Sequence, residues 1–290
     1  MVRVSNERLS QLIAEDIPYI DLTCEVLGIG NEPGEMEYFT REDCILAGTE
    51  FATRIATELG CEVVSAKSSG TELKAGDTFM KLAGKSADLH AAWKVCLNLF
   101  DHLSAVATKT KQMVDTAHRV NSRCEILTTR KSMPGGKDLL TSAVMAGGAY
   151  PHRLGLSETV LIFDQHIEFM GGFDSLLEKL PEIKCHCIEK KLFVEVNAKQ
   201  AVQLANAGVD GIQLDKIEPR ELIELVDKIK GIDPRITLIA AGGINPQNAQ
   251  EYAATGVDGL ATTAPFSAKP LDMSVRMSRA LTSDDSAKII

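Results

Sequence analysis

The chain has 290 residues, 44% of them hydrophobic and 24% charged, with a formal net charge of −9. That length supports one or two hydrophobic cores, and the balance is that of an ordinary soluble globular protein. The acidic excess argues against a general nucleic-acid or acidic-membrane binder.

No apolar run is long enough to span a bilayer, and the charged first ten residues do not read as a secretory signal. Seven scattered cysteines, an odd number, suit a reducing cytoplasm better than a disulfide framework. Cys185-His186-Cys187 lacks zinc-site spacing and a second pair, so it reads as turn.

Ser5 is placed to cap a short helix whose Leu9, Leu12 and Ile13 share a face. Met36 to Thr40, Cys44 to Ala47, Cys61 to Ser65 and Thr78 to Leu82 read as strands. Thr49 opens a helix with Phe51, Ile55 and Leu59 on one side, and Gly60 closes it. Together these predict a small α+β layer.

Ser86 to Val120 holds no Pro or Gly. It predicts a long helix with a bend near Ser104 to Thr108, wedged between two domains or two subunits. Lys94 is a charge within it, either snorkelling to water or reaching a site.

From there strand and helix alternate. Strands are expected at Cys124 to Thr128, Glu158 to Phe163, Leu192 to Val196, Gly211 to Leu214, Ile236 to Ala240 and Gly259 to Ala261. Helices are expected at Lys137 to Met145, Ala198 to Asn206, Pro219 to Ile229 and Pro246 to Ala254, with a last one beginning near Pro270. Near-continuous apolar strands between amphipathic helices predict a parallel sheet covered on both faces, closed as a β/α barrel or open and doubly wound. The division expected is an N-terminal α+β domain over 1–115, including the long connecting helix, and an α/β barrel domain over 116–290 with a C-terminal helix.

Polar residues collect where these strands end. Thr128-Thr129-Arg130-Lys131 follows the first strand, Asp164 the next, and Glu195 lies near the end of the third. Asp215-Lys216, Gly242-Gly243 and Thr262-Thr263 end the later ones, and His152-Arg153 forms a second cationic pair. In barrels that face carries the active site.

Gly242-Gly243, with Asn245 as cap and Pro246 at the first helical position, suits a phosphate, and Thr262-Thr263 offers hydroxyls to the same anion. Glu195 and Asp215 suit a divalent ion or sugar hydroxyls, although pairing with Lys191 or Lys216 is the plainer fate. The mixture points to a ligand carrying phosphate, sugar hydroxyls and further negative charge.

These pieces resemble the quinolinate phosphoribosyltransferase (nicotinate-nucleotide pyrophosphorylase) family. Asp21-Leu22-Thr23, Leu97-Asn98, Leu103-Ser104, Thr129-Arg130-Lys131, His152 to Ser157, Val194-Glu195-Val196, Leu214-Asp215 and Gly242-Gly243-Ile244 carry the likeness. Gln213 to Lys216, Ala241-Gly242-Gly243 and Thr262 to Phe266 are most similar to its ModD branch, associated with molybdenum transport.

The resemblance implies an N-terminal α+β sandwich domain, an incomplete (open) TIM-like α/β barrel, and a homodimer whose N-terminal domain closes the partner's site. It implies a magnesium-dependent glycosyltransferase (a pentosyltransferase) that moves phosphoribose from phosphoribosyl pyrophosphate (PRPP) to a ring nitrogen of a heteroaromatic acid and releases pyrophosphate. By matching position, Glu195 and Asp215 hold the ribose and magnesium and, with Lys131, act in catalysis. Arg130, Lys131, His152 and Arg153 bind the acid and pyrophosphate, with Lys94, Phe163 and Lys216 lining the same substrate site. Gly242, Gly243, Thr262 and Thr263 take the 5-phosphate.

Quinolinate-type enzymes carry a lysine where this chain has Phe163 and an arginine where it has Lys94. That implies an acceptor other than quinolinate. Two further readings remain open at this point. One is a non-catalytic phosphate- or nucleotide-binding regulatory protein linked to molybdenum uptake; the other is a Schiff-base enzyme using Lys131 or Lys216.

Overall fold

A computed structural model describes residues 2–280, which divide into two compact units. The first comprises the chain up to Thr108, Pro134–Gly148 and the residues from Ala268 on; the second comprises Lys109–Met133 and Ala149–Ser267. The division therefore falls inside the long helix rather than at 115/116. Two later segments assigned to the barrel from sequence return to the first unit.

Local bonds explain one of those returns. Ser142 Oγ donates to Glu50 Oε1 (2.8 Å), and Arg8 donates to the Gly135 carbonyl (2.9 Å). They tie the Pro134–Gly148 segment, with its helix Lys137–Ala146, to N-terminal elements.

In the first unit a four-stranded antiparallel sheet runs in the order Ser274–Arg279, Pro33–Phe39, Thr78–Lys85, Glu62–Ala66. Strand alternation turns Met36 and Tyr38 inward. There Tyr38, Phe79 and Phe100 are buried together, with Phe79 and Phe100 ring centroids 4.8 Å apart and edge-on. The capped helix is present as Asn6–Asp16, with Ser5 Oγ accepting from the Arg8 amide.

Two expectations fail here. The helix Ser86–His118 is continuous through Ser104 to Thr108. Its hydroxyls are spent without breaking the ladder: Thr108 Oγ1 donates to the Ser104 carbonyl, and Ser104 Oγ accepts the Ala47 amide. The helix expected from Pro270 is instead extended chain leading into the strand Ser274–Arg279. Asp101 holds that approach, its carbonyl accepting the Leu271 amide and its Oδ1 the Met273 amide. The open edge of Pro33–Phe39 then supplies the ladder. Residues 281–290 of the expected terminal helix lie outside the described residues.

The second unit is a seven-stranded, all-parallel open sheet. Its order is Tyr150–Pro151, Glu125–Thr128, Gly259–Thr262, Thr237–Ala241, Gly211–Asp215, Leu192–Val196, Val160–Ile162. The two end strands are not paired with each other, so the barrel is incomplete. Helices Phe173–Cys185, Ala198–Ala207 and Pro219–Ile232 connect successive strands. Asn197 caps the second of them, and Gly208 ends it in the left-handed region at φ 77°.

One face of this sheet is apolar along its floor. Leu161, Phe193, Ile239, Ala241 and Ala261 are buried together, with Leu127 and Phe163 packed against them. Gly211 makes the floor possible: a Cβ there would lie 2.1 Å from the Phe193 ring. Because side chains alternate, positions two residues nearer the strand ends lie on the same face. Thr129, Phe163, Glu195, Asp215, Gly243 and Thr263 therefore follow the floor residues toward the C-terminal rim.

Candidate active site

Above that floor lies a cavity of about 720 Å³, a size suited to a small ligand. Its lining brings together Arg130, Lys131, His152, Arg153, Phe163, Glu195, Asp215, Lys216, Gly242, Gly243, Thr262 and Thr263, all expected from sequence. Lys94 is not in this lining. It belongs to the first unit, where its ammonium lies 5.0 Å from the Trp93 ring centroid.

Glu195 and Asp215 come from neighbouring parallel strands. Glu195 sits opposite Gln213 in register, and Asp215 is two residues further along Gln213's strand. Burial, and then the charges of Asp215 and Asp164, raise the Glu195 carboxyl above its ordinary range against the opposing bond from Gln213 and the charge of Lys131. Gln213 Nε2 donates to Glu195 Oε2.

Gln213, quoted from the sequence only for the family likeness, is a site residue to which no role was assigned there. Its signal was available: a lone polar side chain in an apolar strand, on the same face as Asp215. Asp164 and Gln165 also line the cavity.

The strand end at Asp215 is a tight corner. Lys216 is the one non-glycine residue with positive φ (55°) among the described residues, and its amide donates to the Ala241 carbonyl at 2.9 Å. Its ammonium lies 3.5 Å from Asp215 Oδ2. Gly242, at φ 91°, fits against this corner only without a side chain, since a Cβ would lie 2.5 Å from Lys216 Cγ and 2.8 Å from Asp215 Oδ1. Two successive left-handed glycines, Gly242 and Gly243 at φ 91° and 75°, leave a backbone concavity of the kind that suits an anion.

The expected helix from Pro246 is shorter than predicted. Only Ala249–Ala253 is helical, with Asn248 preceding it. Asn245 and Asn248 take up the intervening turn: the Asn248 side chain accepts the Asn245 amide, and both side-chain amides donate to the Gly243 carbonyl. The anion chemistry therefore rests on the glycine turn rather than on a helix dipole. Thr262 is likewise occupied, since its buried hydroxyl donates to the Ile244 carbonyl (2.6 Å) and accepts the Ala264 amide. Thr263 is the exposed hydroxyl of the pair.

At the other end, Arg130, Lys131 and Arg153 have no carboxylate close enough to pair with among the described residues. Burial and the neighbouring Arg130 charge lower the Arg153 pKa against the opposing charge of Glu158, the sign of cations crowded together. His152 is pushed below its ordinary range by burial and by Arg153, so it is neutral near pH 7. Its Nε2 is buried without a hydrogen-bond partner; Gln213 lies near, but not in bonding geometry. Phe163 forms the wall here, with the Arg153 guanidinium 5.6 Å from its ring centroid and the His166 Nδ1 bonded to its amide.

Residues 21–104 match the family model of the quinolinate phosphoribosyl transferase N-terminal domain, and residues 106–276 match that of its C-terminal domain. The chain belongs to the quinolinate phosphoribosyltransferase family.

A Rhodobacter capsulatus protein bearing the name pyrophosphorylase ModD is 37% identical over 250 residues, 86% of this chain and 96% of that one. Its namesake in Escherichia coli O127:H6 is 32% identical over 278 residues, 96% and 98% of the two chains. A Methanothermobacter thermautotrophicus protein bearing the name nicotinate-nucleotide pyrophosphorylase (carboxylating) is 30% identical over 274 residues, 93% and 97% of the two chains.

Among solved structures, NadC from Streptococcus pyogenes superposes with a TM-score of 0.88 at 24% identity, covering 97% of this chain and all of that one. The nicotinate-nucleotide pyrophosphorylase from Francisella tularensis does so at 0.85 and 26% identity, covering 96% and 98%. An N-terminal α+β sandwich domain followed by an open barrel, as expected from the sequence, is the fold they share.

Proposed function

We propose that this cavity transfers phosphoribose from PRPP to the ring nitrogen of a heteroaromatic acid, with release of pyrophosphate. The observation that carries this reading is the polarity of the cavity. A carboxylate pair and a glycine turn lie at one end; unpaired guanidinium and ammonium groups beside an aromatic wall lie at the other.

Gly242, Gly243 and the Thr263 hydroxyl bind the 5-phosphate, and Glu195 and Asp215 accept hydrogen bonds from the ribose hydroxyls. The same carboxylates, with anionic neighbours raising Glu195, are an oxygen donor set that fits Mg²⁺. Bound there, magnesium would neutralise pyrophosphate charge as the bond at the sugar carbon breaks. Positive charge develops at that carbon, and the carboxylates stabilise it electrostatically. Arg130, Lys131 and Arg153 hold the departing pyrophosphate and the acid's carboxylate, with Lys131 as the flexible cation whose charge reaches Glu195. The neutral His152 offers the acid a hydrogen bond.

Phe163 replaces charge with an aromatic surface and engages Arg153. That favours an acceptor with fewer carboxylates than quinolinate, stacked or packed against the ring. The working unit is a homodimer on this reading, with Lys94 of the partner subunit joining the anion end. Exposed Tyr19, Ile20, Leu22, Val26 and Leu27, an apolar strip on the first unit, support it.

The test is pyrophosphate release from PRPP and Mg²⁺ across pyridine and related ring carboxylates. A mono-acid should outperform quinolinate. Absence of calorimetric PRPP binding would overturn the proposal, and binding without release for every acceptor would favour the regulatory protein.

A further inference from the structure

A second constellation lies in the first unit, on its own side-chain chemistry and independent of the phosphoribosyl reading. Asp21 caps the helix Leu22–Leu27, its Oδ1 accepting the Cys24 amide at 3.1 Å. Its Oδ2 is hydrogen-bonded to His90 Nδ1, on the long helix, at 2.5 Å, and Cys24 Sγ lies 3.7 Å from the same nitrogen. One donor atom from each residue falls within 4.8 Å of the others, and among the described residues no other His, Cys or carboxylate group converges this way.

We propose that Asp21, Cys24 and His90 form a binding site for a single borderline-soft divalent ion, with zinc as the fitting occupant. Zinc bonds of about 2.0–2.3 Å place tetrahedral ligand atoms roughly 3.3–3.7 Å apart. The sulfur–nitrogen separation already meets that spacing. The oxygen–nitrogen pair must open by less than about 1 Å, which side-chain torsions supply. The three donors come as one carboxylate, one thiol and one imidazole, so softness selects zinc over magnesium. Asp21 is pre-aimed, because the Cys24 amide holds its other oxygen. The half-exposed His90 leaves the fourth position to water.

The competing use of these residues is a cysteine nucleophile with a histidine base. Burial, and then Asp21, push the Cys24 thiol up to about 11, so its thiolate is scarce at neutral pH. A metal ion removes that obstacle by taking the thiolate directly, and the displaced proton goes to solvent. The ion would staple the short helix to the long one across a sequence separation of 66 residues.

The experiment uses the full chain with Cys185→Ser and Cys187→Ser, which removes the two cysteines that are not fully buried. After chelator treatment, Co²⁺ is titrated as the spectroscopic stand-in for zinc. The expected result is a saturable thiolate-to-cobalt charge-transfer band at one equivalent. Cys24→Ser should abolish the band, and His90→Gln should weaken cobalt binding by a factor of about 10–100 or more.

Thermal unfolding guards against loss of fold. Zinc should raise the Tm of the background protein by several degrees and leave that of Cys24→Ser unmoved. No band in the background protein, or an undiminished band after Cys24→Ser, overturns the site.

Discussion

Replacing Gly242 with alanine tests the corner that joins phosphate binding to the carboxylates. Two costs add. The first is backbone: φ is 91°, and an L residue held in that sparsely populated region costs about 1–3 kcal/mol. The second is crowding, since the new methyl would sit 2.5 Å from Lys216 Cγ, 2.8 Å from Asp215 Oδ1 and 2.9 Å from the Lys216 amide nitrogen. Overpacking of this kind costs about 1–3 kcal/mol.

The total of roughly 2–6 kcal/mol corresponds to a fall in Tm on the order of 10 °C. Strain relieved by moving Asp215 instead appears as lost activity, on the order of 100-fold for a displacement near 1 Å. Gly243→Ala is the control. Its φ is 75°, but a Cβ meets nothing within 4 Å, so only the backbone cost applies. Thermal unfolding and pyrophosphate-release kinetics on both variants decide the matter. If the two variants lose equal stability and Gly242→Ala keeps full activity, the packing of Gly242 against Asp215 has no energetic or functional weight.

Three further outcomes are expected. Asp164→Asn removes one of the charges raising Glu195, so the acidic limb of the pH profile of kcat/KM should move to lower pH; an upward shift would contradict the assignment. Phe163→Lys adds a cation beside Arg153 and should shift acceptor preference toward dicarboxylates by about tenfold or more, equal to about 1.4 kcal/mol, read from competing-acceptor kinetics.

Asp101 is held up to about 6, by burial first, from an ordinary 3.8, against the opposing Met273 bond. A carboxyl whose folded pKa is raised lends stability only while it is protonated, and that contribution is lost as pH rises from about 4 through about 6. Discounted for partial exposure, Asp101→Asn should therefore stabilise the protein by about 1–2 kcal/mol at pH 7. The gain should vanish near pH 4 in urea unfolding, and a pH-independent difference would exclude the linkage.

Much of the site is legible in the sequence alone. Rim residues were found because strands and helices alternate with a regular period, and the C-terminal ends of parallel strands lie on one side. Glu195, Asp215, Gly242 and Arg130-Lys131 needed only that rule, whereas His152-Arg153 stood out as a second cationic pair and the short strand Tyr150–Pro151 before it was not expected. Gln213 escaped because its value depends on a neighbour across the ladder: nothing local says that it lies opposite Glu195.

Hydrophobic periodicity, glycine placement and helix caps are short-range properties, and from them the sequence alone determined the strand–helix alternation, the parallel sheet and the facing rim. Other features are settled by partners far away in the chain. Ser274–Arg279 is a strand because the edge of Pro33–Phe39 is open to it, although its own sequence follows a helix-like start. Gly211 is an opening for Phe193, and Thr262 is a brace for Ile244. The convergence of Asp21, Cys24 and His90 joins residues up to 69 positions apart. These depend on which surfaces meet after the chain has folded, information that no window of neighbouring residues contains.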